Sequence, residues 1–392
     1  MAKRDYCILI VGLYCLPSHL DRFIRNLKYN NPDVRVSLLT DRPPHVFPSE
    51  MLGSLEELIK WRFSSRLNWI PFVNHWINRC SSWIQMRSLA RSRHFDIVNI
   101  HYPYFLLSDV MGRFRRMAST IVVTPWGSDV LRVEGKKKKR LLGRVFRRAD
   151  YITVGPGGYI GRILINEMRV DKKKLHPLAW GSETIDYINE HIQEVSAEDA
   201  KRKLGLENRY VITCGYNAFE EQRHEIMIRT ILEIKSRLPR ELILLFPVTY
   251  GATAGTKKDD YVQRLKGMCE DCGLDAVFYE NYLSVADLFV LRQATDMFIH
   301  IQTTDGGNTS LQEYVLLGKK VVHGTWIHYK TLEQYEPLFY YPVDDLDQLG
   351  EAILIAYHSE PINTPAEVLD HIRNRGWKTK MELWNDFFVS IA

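Results

Sequence analysis

Two carboxylates, Asp305 and Glu313, flank a glycine pair and a polar run in the segment TTDGGNTSLQEYVLLGKKVV, residues 303–322. The glycine pair lets a ligand approach the main chain closely. A helix predicted from about Thr309 presents unpaired N–H groups and the positive end of its dipole, which favour an anion such as a diphosphate. The segment thus places a carboxylate, an anion-binding site and a second carboxylate in series. These groups suit, in turn, the sugar hydroxyls, the diphosphate and the ribose of a sugar nucleotide.

The same segment also fits the start and stop signals of an ordinary helix. Thr309 with Gln312, or Ser310 with Glu313, matches a capping box, and Gly318 matches a helix terminator. Capping leaves the first carboxylate and the glycine pair unexplained. Both interpretations therefore stay open at this point.

Strand-like runs alternate with helical patterns along the chain, which is typical of parallel sheets covered by helices. The predicted strands are near 7–11, 34–39, 97–101, 120–124, 151–154, 210–214, 241–246, 275–279, 296–301 and 320–323. The predicted helices are near 18–30, 55–63, 66–92, 221–237, 258–272, 284–292 and 309–317. We therefore predict an α/β chain of two doubly wound Rossmann-like domains: residues 1–185, with a last helix at 377–392 packing back, and residues 195–375.

In such sheets, ligands bind beyond the carboxyl ends of the strands. In the first half, His101 ends one predicted strand and Asp129 follows the next, although they also fit a histidine that merely finishes a strand and an aspartate that forms a turn. The second half has its own set of candidates at these ends: Gly215, Asn217, Tyr250, Gly251, Glu280 and Tyr282. We expect the two sets to face each other across a cleft between the domains.

Composition indicates a soluble globular protein, with 392 residues, 45% of them hydrophobic and 25% charged. The sequence shows no run of roughly 18 uncharged apolar residues that would span a bilayer, and no secretory signal precedes the first predicted strand. We therefore expect a cytoplasmic location. The six cysteines are scattered, which is typical of reduced core thiols.

The net charge of +5 conceals two different halves. Residues 1–190 carry 31 Lys and Arg against 17 Asp and Glu, whereas residues 191–392 carry 21 against 30. The basic half contains apolar residues at helical spacing, at positions 69, 72, 73, 76, 77, 80, 83 and 84, and two basic runs, at 112–116 and 136–148. Cations beside aromatic residues suit an anionic membrane surface, while the alternative is an ordinary helix packed on the sheet with solvated arginines. We expect the first half to lie against the inner face of the cytoplasmic membrane.

The spacing from Asp305 to Glu313, with the apolar helix and GKKVV that follow, resembles the E-x7-E motif of family-four glycosyltransferases, which have the GT-B fold. FDIVNIHYPYF is similar to that family's strand ending in histidine, VVTPWGSDV to its HGxD segment and HPLAWGSETIDY to its PNGVD turn. The stretches CGYNAFEEQRHEIMI and FPVTYGATAGTKKDDYVQRL also resemble bacterial transferases that add 4-acetamido-4,6-dideoxygalactose to a lipid carrier. Two departures are that Asp305 replaces a glutamate and that PWG replaces the motif's histidine.

The resemblance implies transfer of a sugar from a nucleotide-sugar donor to a lipid-linked saccharide acceptor in bacterial capsule, O-antigen or exopolysaccharide synthesis. The acidic motif resembles that of retaining enzymes, whereas the dideoxygalactose transferases are inverting, so the stereochemistry stays open and retention is the expectation. It implies that Asp305 contacts the donor sugar, that Glu313 holds the ribose and that residues 280–282 flank the base. Arg223 or His224 would supply a cation for the diphosphate. The main-chain donors expected to hold the same diphosphate are those of Gly306, Gly307, Asn308 and Thr309.

No metal is expected, because no Asp-x-Asp motif lies at a predicted strand end, and no cofactor is expected either. Nucleic acid is not expected as a partner, since no reader motif is present. The alternatives are a nucleotide-sugar epimerase of similar fold, a non-catalytic protein that binds sugar nucleotides, and a nucleic-acid-binding protein that uses the basic half.

Overall fold

The computed structural model describes residues 5–61, 71–251, 257–305, 309–329, 332 and 339–392, without the side chains of 71–79. The chain divides into two compact units. The first consists of Met1–Gly181 and Trp377–Ala392, and the second of Ser182–Gly376. The first unit is thus assembled from two separate parts of the sequence.

The first unit contains a parallel sheet of six strands. They are β1 (Cys7–Gly12), β2 (Arg35–Thr40), β3 (Glu57–Lys60), β4 (Phe95–His101), β5 (Ala118–Thr124) and β6 (Tyr151–Ile152). Their order across the sheet is β3-β2-β1-β4-β5-β6, which is the doubly wound arrangement. The helices are α1 (Pro17–Asn30), α2 (Ser49–Ser54), α3 (Pro71–Ser92), α4 (Met111–Met117), α5 (Ser128–Leu131), α6 (Lys136–Arg148) and α7 (Tyr159–Asn166).

The helix predicted over 55–63 is wrong, because this segment contains β3. Leu58 and Ile59 pair with Leu38 and Leu39 of the neighbouring strand. The leucine, glutamate and lysine residues of this segment favour a helix locally. Pairing along the sheet edge outweighs that preference, as tertiary contacts often do.

The second unit repeats the arrangement. Its strands are β7 (Tyr210–Cys214), β8 (Leu242–Pro247), β9 (Ala276–Tyr279), β10 (Met297–His300), β11 (Lys320–Gly324) and β12 (Tyr341–Val343). All pair in parallel, in the order β12-β11-β10-β7-β8-β9. The helices are α8 (Glu183–His191), α9 (Ala197–Lys203), α10 (His224–Ile234), α11 (Lys258–Asp271), α12 (Val285–Ala294), α13 (Thr309–Leu316), α14 (Leu349–His358) and α15 (Ala366–Arg373). The α/β class and the two doubly wound sheets are thus confirmed.

The last helix of the chain, α16 (Trp377–Ile391), belongs to the core of the first unit. Phe23 of α1 packs against Trp377, Trp384 and Phe388, with ring centroids 5.1–6.5 Å apart. The opposite side of the same sheet is covered by α3, α4, α6 and α7. In the described part of the chain, no helix has both the length and the apolar character needed to cross a membrane.

Candidate functional site

The strand order of the second sheet reverses between β7 and β10, so the loops after these strands lie side by side. Such a reversal point is where open α/β sheets bind ligands. Gly215, directly after β7, has φ +63°, and a Cβ there would come within 2.7 Å of His224 Nε2. Asn217 accepts a hydrogen bond from the Phe219 N–H at 2.9 Å, which closes the same loop. A close backbone turn therefore requires glycine at this edge.

Arg223 connects the two loops. Its Nη1 donates to the Ile301 carbonyl at 3.3 Å, and its guanidinium lies 5.1 Å from the centre of the Trp326 ring. Its backbone is left-handed, with φ 64°, at the point where α10 begins. The side chain is only partly buried, so a cation is held between the loops after β7 and β10.

The cationic role expected for His224 does not fit its position. Its ring is fully buried, and Nδ1 lies 3.0 Å from the Tyr261 hydroxyl. Burial lowers the pKa of His224 to about 3, so the ring is neutral at pH 7. Of the two candidate cations, Arg223 is the one that remains charged.

Asp305 follows β10 by five residues, and its side chain is only 6% exposed. The Tyr329 hydroxyl donates to its Oδ2 at 2.6 Å, Gln302 Nε2 donates to the same oxygen, and His300 Nε2 lies 3.4 Å from it. His300 Nε2 is also 2.6 Å from the Tyr329 hydroxyl oxygen. Burial, followed by the charge of Asp305, holds the pKa of Tyr329 well above its ordinary value, so Tyr329 is a proton donor here.

Gln302 is itself fixed in orientation. Its Oε1 accepts from the Tyr216 hydroxyl at 3.0 Å and from Gln222 Nε2 at 2.6 Å. With the amide oxygen occupied in this way, the amide nitrogen points to Asp305. The carboxylate is therefore held from two sides, by the tyrosine and by the glutamine.

Glu313 lies within α13 and is 2% exposed. Its Oε2 is 2.6 Å from Arg292 Nη2, and its Oε1 accepts from the Ser182 hydroxyl at 3.0 Å. Ser182 caps α8 by accepting from the Ile185 N–H at 3.3 Å. Both carboxylate oxygens thus contact protein groups, and the expected hold on a ribose stays a prediction. Thr309 begins the same helix.

The loops after β8 and β9 adjoin this region. The Ala218 N–H donates to the Tyr250 carbonyl at 2.7 Å, and a Cβ on Gly251, at φ +145°, would meet the Ala218 backbone at 2.5 Å. The side chain of Glu280 pairs with Lys266 at 2.5 Å, while Tyr282 is 68% exposed. The roles expected for these residues in donor binding stay predictions.

In the first unit, His101 ends β4 and Asp129 lies in α5, with Trp126 between them. The His101 ring is buried, neither of its nitrogens has a hydrogen-bond partner among the described residues, and burial lowers its pKa to about 3. Its centroid is 6.3 Å from that of Trp126. Asp129 accepts from the N–H groups of Trp126 and Gly127 at 3.0 and 2.8 Å, and burial raises its pKa to about 7. Both candidates therefore contact Trp126, His101 through its ring and Asp129 through the main-chain N–H.

Three expected site residues, Gly306, Gly307 and Asn308, lie outside the described residues. Among the residues that are described, no three His, Cys, Asp or Glu side chains form a group that could hold a metal ion.

Sequence reasoning missed His300, Gln302, Tyr329 and Arg292. His300 and Gln302 had a usable signal, since they lie at the carboxyl end of the predicted strand 296–301. Tyr329 and Arg292 had none, because each is separated from its carboxylate partner by more than twenty residues in the sequence.

Many solved structures resemble this chain, and three of them illustrate the likeness. A glycosyltransferase from Rickettsia africae ESF-5 superposes with a TM-score of 0.72 at 12% identity, covering 99% of each chain. The Anabaena protein Alr3699/HepE in complex with UDP and glucose gives 0.71 at 13%, covering 98% of this chain and all of that one. The lipopolysaccharide outer core galactosyltransferase WaaB in its apo form gives 0.65 at 11%, covering 98% and 99%.

No curated protein sequence matches the chain. A family model described as glycosyl transferase 4-like matches residues 18–155, which lie in the first unit. The structural likeness extends over nearly the whole chain. Residues 18–155 are therefore similar to glycosyl transferase 4-like domains, and the chain as a whole has the GT-B fold.

Proposed function

We propose that the protein is a glycosyltransferase that binds a nucleotide-sugar donor at the carboxyl edge of the second sheet. The observation that carries this proposal is the Asp305 carboxylate, which Tyr329 and Gln302 hold at the reversal point of the sheet. A preorganised charge in a largely buried site is suited to a transition state in which charge develops. The fold and the matched family domain support the same activity.

Glycosyl transfer develops positive charge at the anomeric carbon and negative charge on the departing diphosphate. Asp305 would lie near the first charge, and Arg223, on the adjoining loop, near the second. A protein cation in this place lets the reaction proceed without a metal, and we propose a metal-independent transfer with retention. Because HepE was crystallised with UDP and with UDP-glucose, UDP-sugars are the first donors to test.

The donor proposal is tested by thermal shift against UDP-, GDP-, dTDP- and CMP-sugars with EDTA present. A ligand that binds the folded state raises the melting temperature by mass action. We expect one nucleotide class to stabilise the wild type and to lose this effect in Arg223→Gln. Arg229→Gln is the matched control, because Arg229 is an exposed arginine in α10, the helix that follows Arg223. No stabilisation by any class would overturn the proposal, and conversion of the donor into its epimer without an acceptor would identify an epimerase instead.

The acceptor proposal rests on the basic side of the first unit, formed by α3, α4 and α6. Trp83 of α3 lies between two arginines, with Arg87 5.4 Å and Arg113 4.5 Å from its ring centre. Burial, followed by the charges of Arg116, Arg87 and Arg91, lowers the pKa of Arg113. Five cations, together with Glu167 and Met168, line a cavity of about 570 Å³. Four of the cations lie on α6, namely Lys136, Lys139, Arg140 and Arg147, and the fifth is Arg169.

The apolar positions of α3 support a lipid contact. Trp83 and Ile84 are 40% and 63% exposed, whereas Ser82 and Met86 are buried. The described end of the apolar stripe thus points away from the core, as an interfacial helix requires. We propose that this side lies on the inner face of the cytoplasmic membrane and that the acceptor is a lipid-linked saccharide of capsule, O-antigen or exopolysaccharide synthesis. In an anionic membrane, each cation near the surface contributes about 1 kcal/mol.

Sedimentation with vesicles tests the membrane proposal. We expect binding to phosphatidylglycerol vesicles but not to phosphatidylcholine vesicles, and weaker binding at high salt. Trp83→Ala with Arg113→Gln should reduce binding several-fold. Tyr29→Ala removes an exposed aromatic residue from α1, on the other side of the sheet, and should bind like the wild type. Failure of the wild type to bind anionic vesicles at moderate salt would contradict the proposal.

A further inference from the structure

We propose that Tyr329 and His300 are positioning residues that fix the Asp305 carboxylate for sugar transfer. The inference rests on the proposed function and deepens it, since it assigns to two further side chains the task of orienting the reacting carboxylate. Both belong to the second unit, as Asp305 does. Neither residue is part of the motif that marks Asp305 and Glu313.

The hydrogen bonds form a directed chain. The Tyr329 hydroxyl has one proton, which it donates to Asp305 Oδ2 at 2.6 Å. Its oxygen must then accept from His300, whose Nε2 is 2.6 Å away. His300 therefore carries its proton on Nε2, and this tautomer is inferred from the bond to Tyr329.

The histidine cannot easily move away from this arrangement. It is fully buried in β10, and its ring stacks on those of His323 and Phe298, with centroids 5.3 and 5.6 Å apart. Tyr329 is 3% exposed. A buried histidine thus orients a buried tyrosine, and the tyrosine orients the carboxylate. Hydrogen bonds to an ionised group are among the stronger ones in proteins, so this chain restrains Asp305 effectively.

The restraint acts on the rate of transfer more than on donor affinity. Asp305 is expected to act on charge that develops at the anomeric carbon, which is largely absent from the bound ground state. Loss of the tyrosine hydroxyl leaves the carboxylate in place but less well oriented. We therefore expect kcat to fall while the KM for the donor stays nearly constant.

The test compares Tyr329→Phe, His300→Leu and His300→Gln. Turnover is measured as UDP release from UDP-glucose, or as release of the nucleotide from whichever panel sugar nucleotide stabilises the wild type. We expect kcat to fall about 10- to 100-fold in Tyr329→Phe and about 10-fold in His300→Leu, from the usual strength of a charge-assisted hydrogen bond. His300→Gln retains an N–H donor at similar reach and should recover most of the loss.

The matched control is Tyr210→Phe. Tyr210 begins β7, at the end of the sheet opposite the candidate site, and its buried hydroxyl has no hydrogen-bond partner in the part of the chain that the structure describes. Its kcat should equal that of the wild type. Melting curves of every variant establish that it is folded before the rates are compared.

A second readout does not depend on turnover. The nitrogen-15 shifts of His300 should show the Nε2–H tautomer in the wild type and a mixture of tautomers in Tyr329→Phe. If the wild type turns over and the kcat of Tyr329→Phe is unchanged, the inference is overturned but the proposed function is not. Absence of turnover by the wild type with every sugar nucleotide would overturn the proposed function and, with it, the inference.

Discussion

Replacing either member of the buried Arg292–Glu313 pair should strongly destabilise the second unit. Arg292 and Glu313 are 8% and 2% exposed, with 2.6 Å between Nη2 and Oε2. In Glu313→Leu the arginine remains buried with its charge unpaired, and in Arg292→Met the same happens to the carboxylate. Losing one partner of a buried pair costs about 3–5 kcal/mol.

The double variant Glu313→Leu/Arg292→Met should recover most of this loss. Replacement of a whole buried pair by apolar side chains of similar volume is often neutral. For a unit of this size, each kcal/mol shifts the melting temperature by about 2–4 °C. We therefore expect each single variant to melt about 6–20 °C below the wild type and the double variant to melt within a few degrees of it.

Calorimetry and urea unfolding of the four proteins complete the cycle, and donor-induced stabilisation is measured on the same samples. If Glu313 also holds the ribose, the double variant will be stable but will no longer be stabilised by the donor. Single variants that each lose less than about 1 kcal/mol, or a double variant that loses the sum of the two, would refute the reasoning.

Three further outcomes follow from backbone geometry, titration and packing. Gly215→Ala should destabilise the protein by about 1–3 kcal/mol more than Gly205→Ala, as measured by urea unfolding, since both have positive φ but only Gly215 would bring a Cβ into contact with neighbouring atoms. Burial lowers the pKa of His224 to about 3, so the stability that its neutral form contributes is present above about pH 6.5 and falls by about 2 kcal/mol at pH 5. Asp129 acts in the opposite direction, because its pKa is raised to about 7 and the stability that its neutral form contributes is lost as the pH rises from about 4 to 7. Melting curves at pH 5 and 7 for Asp129→Asn should therefore show a steeper loss toward acid than those of the wild type, and an equal slope would contradict this assignment. Phe388→Ala should cost about 3–5 kcal/mol in urea unfolding through the cavity left in the first core, and a loss below 1 kcal/mol would show that α16 contributes little to it.

The doubly wound fold could be predicted because its signals are local: each apolar strand is followed by a helix and then by the next strand. The edge strand β3 could not, since its residues favour a helix until the neighbouring strand pairs with them. Strand β12 could not be predicted either, because it forms through pairing with β11, which lies in a separate segment of the sequence.

The candidate site divides in the same way. Asp305 and Gly215 could be predicted from the sequence because they follow strands at the ligand-binding edge. The sequence makes His224 a candidate cation because it is one of the two nearest candidates after CGYN, but the first turn of α10 directs its ring into the core, where it is neutral. Tyr329 and Arg292 are found only through folding, which brings them to carboxylates that are distant in the sequence.

Helix α16 gives the chain an order of assembly during synthesis. Trp377, Trp384 and Phe388 pack on Phe23 in the core of the first unit, yet they leave the ribosome long after the strands that they cover. The segment Ser182–Gly376 is continuous and can bury its own interior while translation proceeds. The amino-terminal unit, although synthesised first, must therefore be the last to complete its core, and until then its nascent sheet exposes the apolar face on which α16 will dock.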